Sequence, residues 1–266
     1  MTSKNSKTPT QIGEVTLSVN DNIAQITINN PSRRNMMNLD MRDQFYDHLV
    51  LALDDDDVRV IIFTGSEGNF CAGGDISGMN ETALQCRTRI RKLHRIVRLI
   101  AYSEKPIITA AEGFVVGNGL SIAASTDFVV TASDAKFICS FVKIGLIPDT
   151  AALWFLPQRM GLGRAKLAMM TGEKFSGTKA VETGLADIET EPGKALERAY
   201  ELAQTLSKVG PLAVGMTKSL LARAPMSLDE SLKAEIDAQA VLFTSDDFAE
   251  GRASFLEKRP ARFQGK

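Results

Sequence analysis

Cysteine is scarce: Cys71, Cys86 and Cys139 are the only three in 266 residues. Their spacing fits neither metal-ligand nor redox motifs, and an odd number in apolar surroundings reads as reduced thiols. Net charge is scarce as well. Lys and Arg total 31 against 32 Asp and Glu, leaving −1, which argues against a nucleic-acid surface spread over the whole chain. No apolar run approaches the roughly 18 residues of a membrane span. The opening stretch MTSKNSKTPT lacks the apolar core of a signal peptide. Linkers and internal repeats are missing too. What remains, 44% apolar and 24% charged residues, is ordinary for a globular protein with a sizeable core, in one large domain or two small ones. The expected location is the cytoplasm.

What the chain does have is glycine in telling places. Pro106 opens an apolar run, Ile107-Ile108-Thr109, that reads as a buried strand. A turn punctuated by Gly113, Gly117 and Gly119 follows, and Leu120 to Ser125 reads as the start of a small-residue helix. A strand feeding a helix through glycines leaves backbone N–H groups free at the positive end of the helix dipole. Such a turn can hold an anion, or an oxygen that becomes one during reaction. It can equally be a tight turn that needs glycine for its backbone angles. The spacing is not the dinucleotide fingerprint G-x-G-x-x-G. A second strand, Val60 to Gly65, leads to Phe70-Cys71-Ala72-Gly73-Gly74-Asp75-Ile76, where small residues let backbone pass close to something bulky. Two such turns could each supply one N–H to a shared carbonyl oxygen.

With these turns in view, the chain resembles the enoyl-CoA hydratase/isomerase (crotonase) superfamily. The resemblance rests on FCAGGDI at 70–76, GFVVGNG at 113–119, KIGLIPD at 143–149 and FLEKRPARF at 255–263, in order and properly spaced. It implies an α/β fold: a spiral of β-β-α units over residues 1–191, then a helical region over 192–266. That last region would cover the pocket and pack subunits into trimers or hexamers. The implied substrate is an acyl-CoA thioester of fatty acid or aromatic acid catabolism. Coenzyme A enters as part of the substrate, with no other cofactor and no metal.

Read along the chain, residues 1–11 look disordered. Val15–Val19 and Ile23–Ile28 form a hairpin around Asn20-Asp21-Asn22. Asn38 or Asp40 could cap a helix over Leu39–Leu53. The acidic run Asp54 to Asp57 lacks the spaced oxygen ligands of a calcium loop and reads as a solvated connection. In a helix over Ala83–Tyr102, the residues Cys86, Ile90, Leu93, Val97 and Ile100 share one face. Arg87, Arg91, Arg95 and Arg98 make a basic stripe beside it, and His94 lies on the rim. Without interleaved aromatics that stripe favours a solvated face or a phosphate contact over RNA. Short strands are expected at Asp127–Thr131, Lys136–Ile138 and Ala186–Glu189. Helices are expected at Ala151–Met160, Arg164–Met170, Lys194–Ser207, Pro211–Ala222, Leu228–Phe243 and Asp247–Glu257.

Carried over by resemblance, the oxyanion amides fall on Gly74 and Asn118. Coenzyme A would lie across Arg34 and Met36, its adenine against Ala72, Asp75 and Ile76. Phe141 would line the site, and Phe255 and Lys258 would close over the nucleotide. The two glutamates of typical hydratases fall on Ser121 and Phe141, neither of them acidic. Asp149 stands where some isomerases of the superfamily carry an aspartate. Its neighbours Ile144, Leu146, Ile147, Ala151 and Ala152 should desolvate it and raise its pKa toward that of a useful base. It could instead be an N-cap for the following helix. The resulting expectation is double-bond isomerisation, with Asp149 moving the proton. Two alternatives stay open. One is aryl-CoA dehalogenation, with Asp149 as nucleophile and His94, twelve residues before Pro106, as base. The other is a non-catalytic scaffold that binds CoA esters or RNA.

Overall fold

The structure, a computed structural model, describes residues 13–77, 79, 81–223 and 226–266. The stretch 1–11, read as disordered, lies outside the described residues. Two sheets organise the rest. The larger has six strands in the order β1 (Glu14–Asn20), β2 (Ile23–Asn29), β3 (Val60–Gly65), β4 (Ile107–Ala111), β6 (Phe128–Ala132) and β9 (Ile188–Thr190). β1 and β2 are an antiparallel hairpin in register from Glu14↔Asn29 to Asn20↔Ile23, and every later pairing in this sheet is parallel. Asp21 and Asn22, both at positive φ, turn the hairpin as a two-residue loop requires. The smaller sheet joins β5 (Phe114–Val116), β7 (Lys136–Ile138) and β8 (Lys174–Ser176).

Parallel strands need crossovers, and burial on both faces makes them read as unbroken apolar runs. The period-two alternation sorts those runs into two cores. Ile61, Phe63 and Ile107 face one way, with Phe45, Leu49, Leu93 and Ile122 from helices α1 (Leu39–Asp54), α2 (Ala83–Tyr102) and α3 (Asn118–Ser125). Val60, Ile62, Ile108 and Val130 face the other way, onto Ala195, Ala199 and Ala203 of α7 (Ala195–Leu206). Each large apolar side chain so buried contributes about 1.5–3 kcal/mol relative to exposure. α7 lies beyond the expected boundary at 191/192, yet it is a layer on the sheet.

One device recurs where strands enter the sheet. The Asp127 carboxylate accepts the Ile107 N–H at 2.7 Å and pairs with the Lys218 ammonium at 2.8 Å. The Asp187 carboxylate accepts the Val129 N–H at 2.7 Å and pairs with Arg159 at 3.0 Å. Two turns of the chain are thus pinned to the strand beside them.

The remaining helices are α4 (Ala152–Met160), α5 (Leu162–Thr171), α6 (Gly177–Thr183), α8 (Pro211–Leu221), α9 (Leu228–Leu242) and α10 (Asp246–Glu257). The expected elements are present within a residue or two, with three differences. β5 runs through what reads as part of the glycine turn. β8 and α6 were not anticipated: three residues of strand are too few for a period to show. The last strand begins two residues and ends one residue later than expected. Pro157 is tolerated inside α4, a helix of only 9 residues. The acidic run 54–57 is exposed, and among the described residues no cluster of His, Cys, Asp or Glu could hold a metal. Nor, among them, is any helix long and apolar enough to cross a membrane.

Candidate active site

The site begins where the chain leaves β2. Arg34 and Asn35 both take positive φ. The buried Asn35 side chain accepts the Asn30 N–H at 2.8 Å and donates to the Ser66 and Asn69 carbonyls at 2.8 and 2.6 Å. That pins the loop before α1 to the loop after β3. Asn38 then caps α1, its side chain accepting the Met41 N–H at 2.8 Å.

Residues 71–75 run between two backbone edges. On one side Ala72 N donates to Arg34 O, Met37 N to Gly73 O and Asp75 N to Met37 O, at 2.9–3.0 Å. On the other, Cys71 exchanges hydrogen bonds with β5, its N–H donating to Phe114 O and its carbonyl accepting from Val116 N. Gly73 sits at φ 103°, and a Cβ on Gly119 would approach the Cys71 carbonyl to 2.7 Å, so both need glycine. Gly117, at φ 56° and ψ −123°, turns the chain into α3. The accounting leaves two amides over. Among the described residues, the Gly74 and Asn118 N–H groups donate to no backbone carbonyl, and both residues line one cavity of about 180 Å³. Cys71 is fully buried beside it, its thiol pushed up to about 11 by burial.

The facing wall comes from the loop after β7. Phe141 is buried and lines the cavity, as do Ser140, Ile144 and Leu146. Asp149 lines it too, and among the described residues it is the single carboxylate there. Burial raises its pKa, against the lowering effects of the Thr150 hydroxyl, which donates at 2.9 Å, and of the nearby Arg42 and Arg89 guanidinium groups. The N-cap alternative falls away. α4 is capped by Ala151 with no side-chain hydrogen bond, because Thr150 and Ala151 at φ 52° and 61° set Asp149 back from the helix.

Of the other expected contacts, Met36, Ala72 and Ile76 line the cavity. Arg34 does not; its guanidinium stacks on the Phe114 ring at 4.4 Å. Asp75 is engaged by Arg33 at 2.6 Å and by the Ser77 hydroxyl at 2.6 Å. Phe255, 83% exposed, and Lys258 stand at the outer end of α10. Neither lines this cavity. His94 is exposed and outside the lining; Leu93 and Arg89 take that wall. Ser121 is buried, its hydroxyl donating to Gly117 O at 3.2 Å, and it too is outside. The basic stripe of α2 is partly used inside the chain, with Arg95 over the Tyr46 ring at 4.0 Å.

Two polar side chains in the cavity were not anticipated. Arg42, on α1, is 6% exposed, and its Nε and Nη1 find no hydrogen-bond partner among the described residues. The Asn118 carboxamide, 5% exposed, is equally unpartnered at both of its atoms. Burial lowers the Arg42 pKa. The sequence did hold a signal: Arg42 shares the helical stripe of Phe45 and Leu49, an unusual place for a charge.

A family model described as enoyl-CoA hydratase/isomerase matches residues 18–266. The chain belongs to the enoyl-CoA hydratase/isomerase family. It is 32% identical to the 1,2-epoxyphenylacetyl-CoA isomerase of Escherichia coli K12, over 93% of this chain and 97% of that protein. It is also 32% identical to the crotonyl-CoA hydratase of Syntrophomonas wolfei, over 95% and 98%. The crystal structure of an enoyl-CoA hydratase from Polaromonas sp. JS666 superposes with a TM-score of 0.90 at 29% identity, over 94% of this chain and all of that one. The architecture is therefore the crotonase fold, and this member of the enoyl-CoA hydratase/isomerase family is an enzyme acting on acyl-CoA. Both isomerases and hydratases are among its relatives.

Proposed function

We propose that this enzyme shifts a double bond within an acyl-CoA thioester, with Asp149 carrying the proton. The observation that carries the reading is the lone carboxylate in the cavity. Hydration needs a base to activate water and an acid to complete the addition. The two positions where typical hydratases carry glutamates are a serine that hydrogen-bonds backbone and a phenylalanine. Isomerisation adds nothing, so one carboxylate can serve both halves.

In this mechanism the thioester oxygen lies between the Gly74 and Asn118 N–H groups. Asp149 removes a proton from C2 of a 3-enoyl ester, and the electrons pass through the carbonyl to give a dienolate. The two amides and the positive end of α3 stabilise its oxygen more than that of the ground state. Protonated Asp149 returns the same proton to C4, leaving the 2-enoyl ester. Burial favours this cycle, because it weakens the carboxylate as an acid and so strengthens it as a base. Coenzyme A arrives with the substrate, and no other cofactor takes part. We place the CoA moiety along Met36, Ala72 and Ile76. Assembly into trimers or hexamers would be the route by which Phe255 and Lys258 of α10 reach a nucleotide.

Asp149→Asn tests the assignment. Turnover of a 3-enoyl-CoA, followed by the ultraviolet change of conjugation, should disappear while the ester still binds. Full activity would overturn it. Aryl-CoA dehalogenation would require His94 to reach water beside Asp149, and His94 is outside the cavity wall.

A further inference from the structure

A buried guanidinium with nothing to bind is costly, and natural interiors pair such groups. Each carboxylate near Arg42 is engaged or out of reach. Glu81 is held by Arg89 at 2.8 Å, Asp43 by Lys92 at 2.8 Å and Asp75 by Arg33 at 2.6 Å. Among the described residues Asp149 makes no ion pair within 4.0 Å, and the proposed function needs it free as a base. Arg42 nevertheless faces the reacting space: a Cβ placed on Gly74 would collide with its Nη2. The Asn118 carboxamide lies 3.9 Å from the same point. The cavity thus holds three unspent N–H donors on Arg42 Nε and Nη1, and an amide beside them, in a place where a hydrocarbon acyl chain would satisfy none.

We propose that the acyl group of the substrate carries its own carboxylate, received by Arg42 with the Asn118 carboxamide alongside. This rests on the cavity being the acyl pocket. Arg42 stands in the wall that this cavity shares with a groove between α1 and α2, a wall to which Arg89 and Leu93 also belong. The planar fork matches a carboxylate with two parallel hydrogen bonds. The thioester oxygen does not need it, because two backbone amides already serve that atom. A substrate carboxylate would otherwise raise the pKa of Asp149 by like-charge repulsion, and Arg42 offsets that charge.

The experiment compares saturated esters, which undergo no isomerisation: succinyl-, glutaryl- and adipyl-CoA against butyryl-, pentanoyl- and hexanoyl-CoA, by calorimetry. At one chain length the wild-type protein should bind the dicarboxylic ester about 100-fold more tightly than its neutral partner, the loss expected when a buried charge pair is broken. In Arg42→Met that ratio should fall to near one. The unliganded variant should melt above the wild type, since an uncompensated charge has been replaced by apolar volume. No preference at any length in the wild type would overturn the proposal, as would a preference that survives Arg42→Met, or equal weakening of both esters by it. A destabilised variant would also overturn it, by showing that the guanidinium has a partner in the free protein. Because these esters do not react, failure of the Asp149 assignment leaves this result intact, and the reverse holds as well.

Discussion

The cavity has one wall made of backbone and one made of side chains, and the two are built by opposite means. On the backbone side every residue of α3 is buried, and the turns before it are held by hydrogen bonds on both edges. On the side-chain side Ile144, Leu146 and Ile147 lie open to solvent, and the carboxylate follows on a loop with two successive left-handed residues. The first wall fixes where an oxygen can sit. On the function proposed above, the second decides what reaction that oxygen serves. A packed interior tolerates little drift, whereas an exposed loop can exchange one acid for another without disturbing the sheet. Such a division would let one architecture serve both hydratases and isomerases.

If this division is right, substitutions on the two walls should fail differently. Asp149→Asn should give the largest kinetic effect, roughly 10³-fold in kcat for a general base, with no loss of stability. The protein should in fact gain. Burial raises the Asp149 pKa, so the folded chain keeps this proton where the unfolded chain has released it. The stability contributed by this group is therefore highest below the unfolded pKa of about 3.9. It declines as pH rises through the folded value. Melting curves should show Asp149→Asn above the wild type at pH 7 and level with it at pH 3. A melting temperature lowered at pH 7 would break the comparison. The wild-type rate itself should fall as pH drops through the raised pKa, as deprotonated base is lost.

Gly117→Ala comes next, on the backbone wall. Its φ of 56° with ψ of −123° is open to glycine alone, so alanine should cost about 1–3 kcal/mol. It should also lower turnover by roughly 10² through displacement of the Asn118 amide. Rate and melting temperature should therefore fall together, unlike at Asp149. The smallest effect is expected at Ile147, which is 74% exposed. Ile147→Ser should stay within about 0.5 kcal/mol in dilute protein. A larger loss that grows with protein concentration would show that another copy covers this loop.

Much of the backbone wall was legible in the sequence because glycine is a residue of few uses. Gly73, Gly74, Gly117 and Gly119 stand after apolar strands, and steric need makes such positions readable. The Asp149 loop was readable for its composition, an acid among Ile144, Leu146 and Ile147. Less legible was anything that depended on distance across the fold. His94 sits on the correct helix, but one residue of helical phase turns it outward and gives Leu93 the cavity. Ser121, where the resemblance puts a hydratase glutamate, spends its hydroxyl on the Gly117 carbonyl. Arg42 is hard to read because a lone arginine in an amphipathic helix is usually solvated. Only the packing of α1 against the glycine turn shows that this one is enclosed. β8 and α6 escaped notice for a different reason: their few residues carry too little pattern to separate from loop.

The three alanines of α7 set a spacing rather than a contact energy. Ala195, Ala199 and Ala203 present a nearly smooth strip to Val60, Ile62 and Ile108, and the helix comes close to the strands because nothing stands between them. Any larger side chain on that strip would act as a wedge under the sheet whose other face supports the cavity. The positions least free to vary in this enzyme are thus not confined to its chemistry. They include a row of the smallest chiral residues, on the side of the sheet that the substrate never sees.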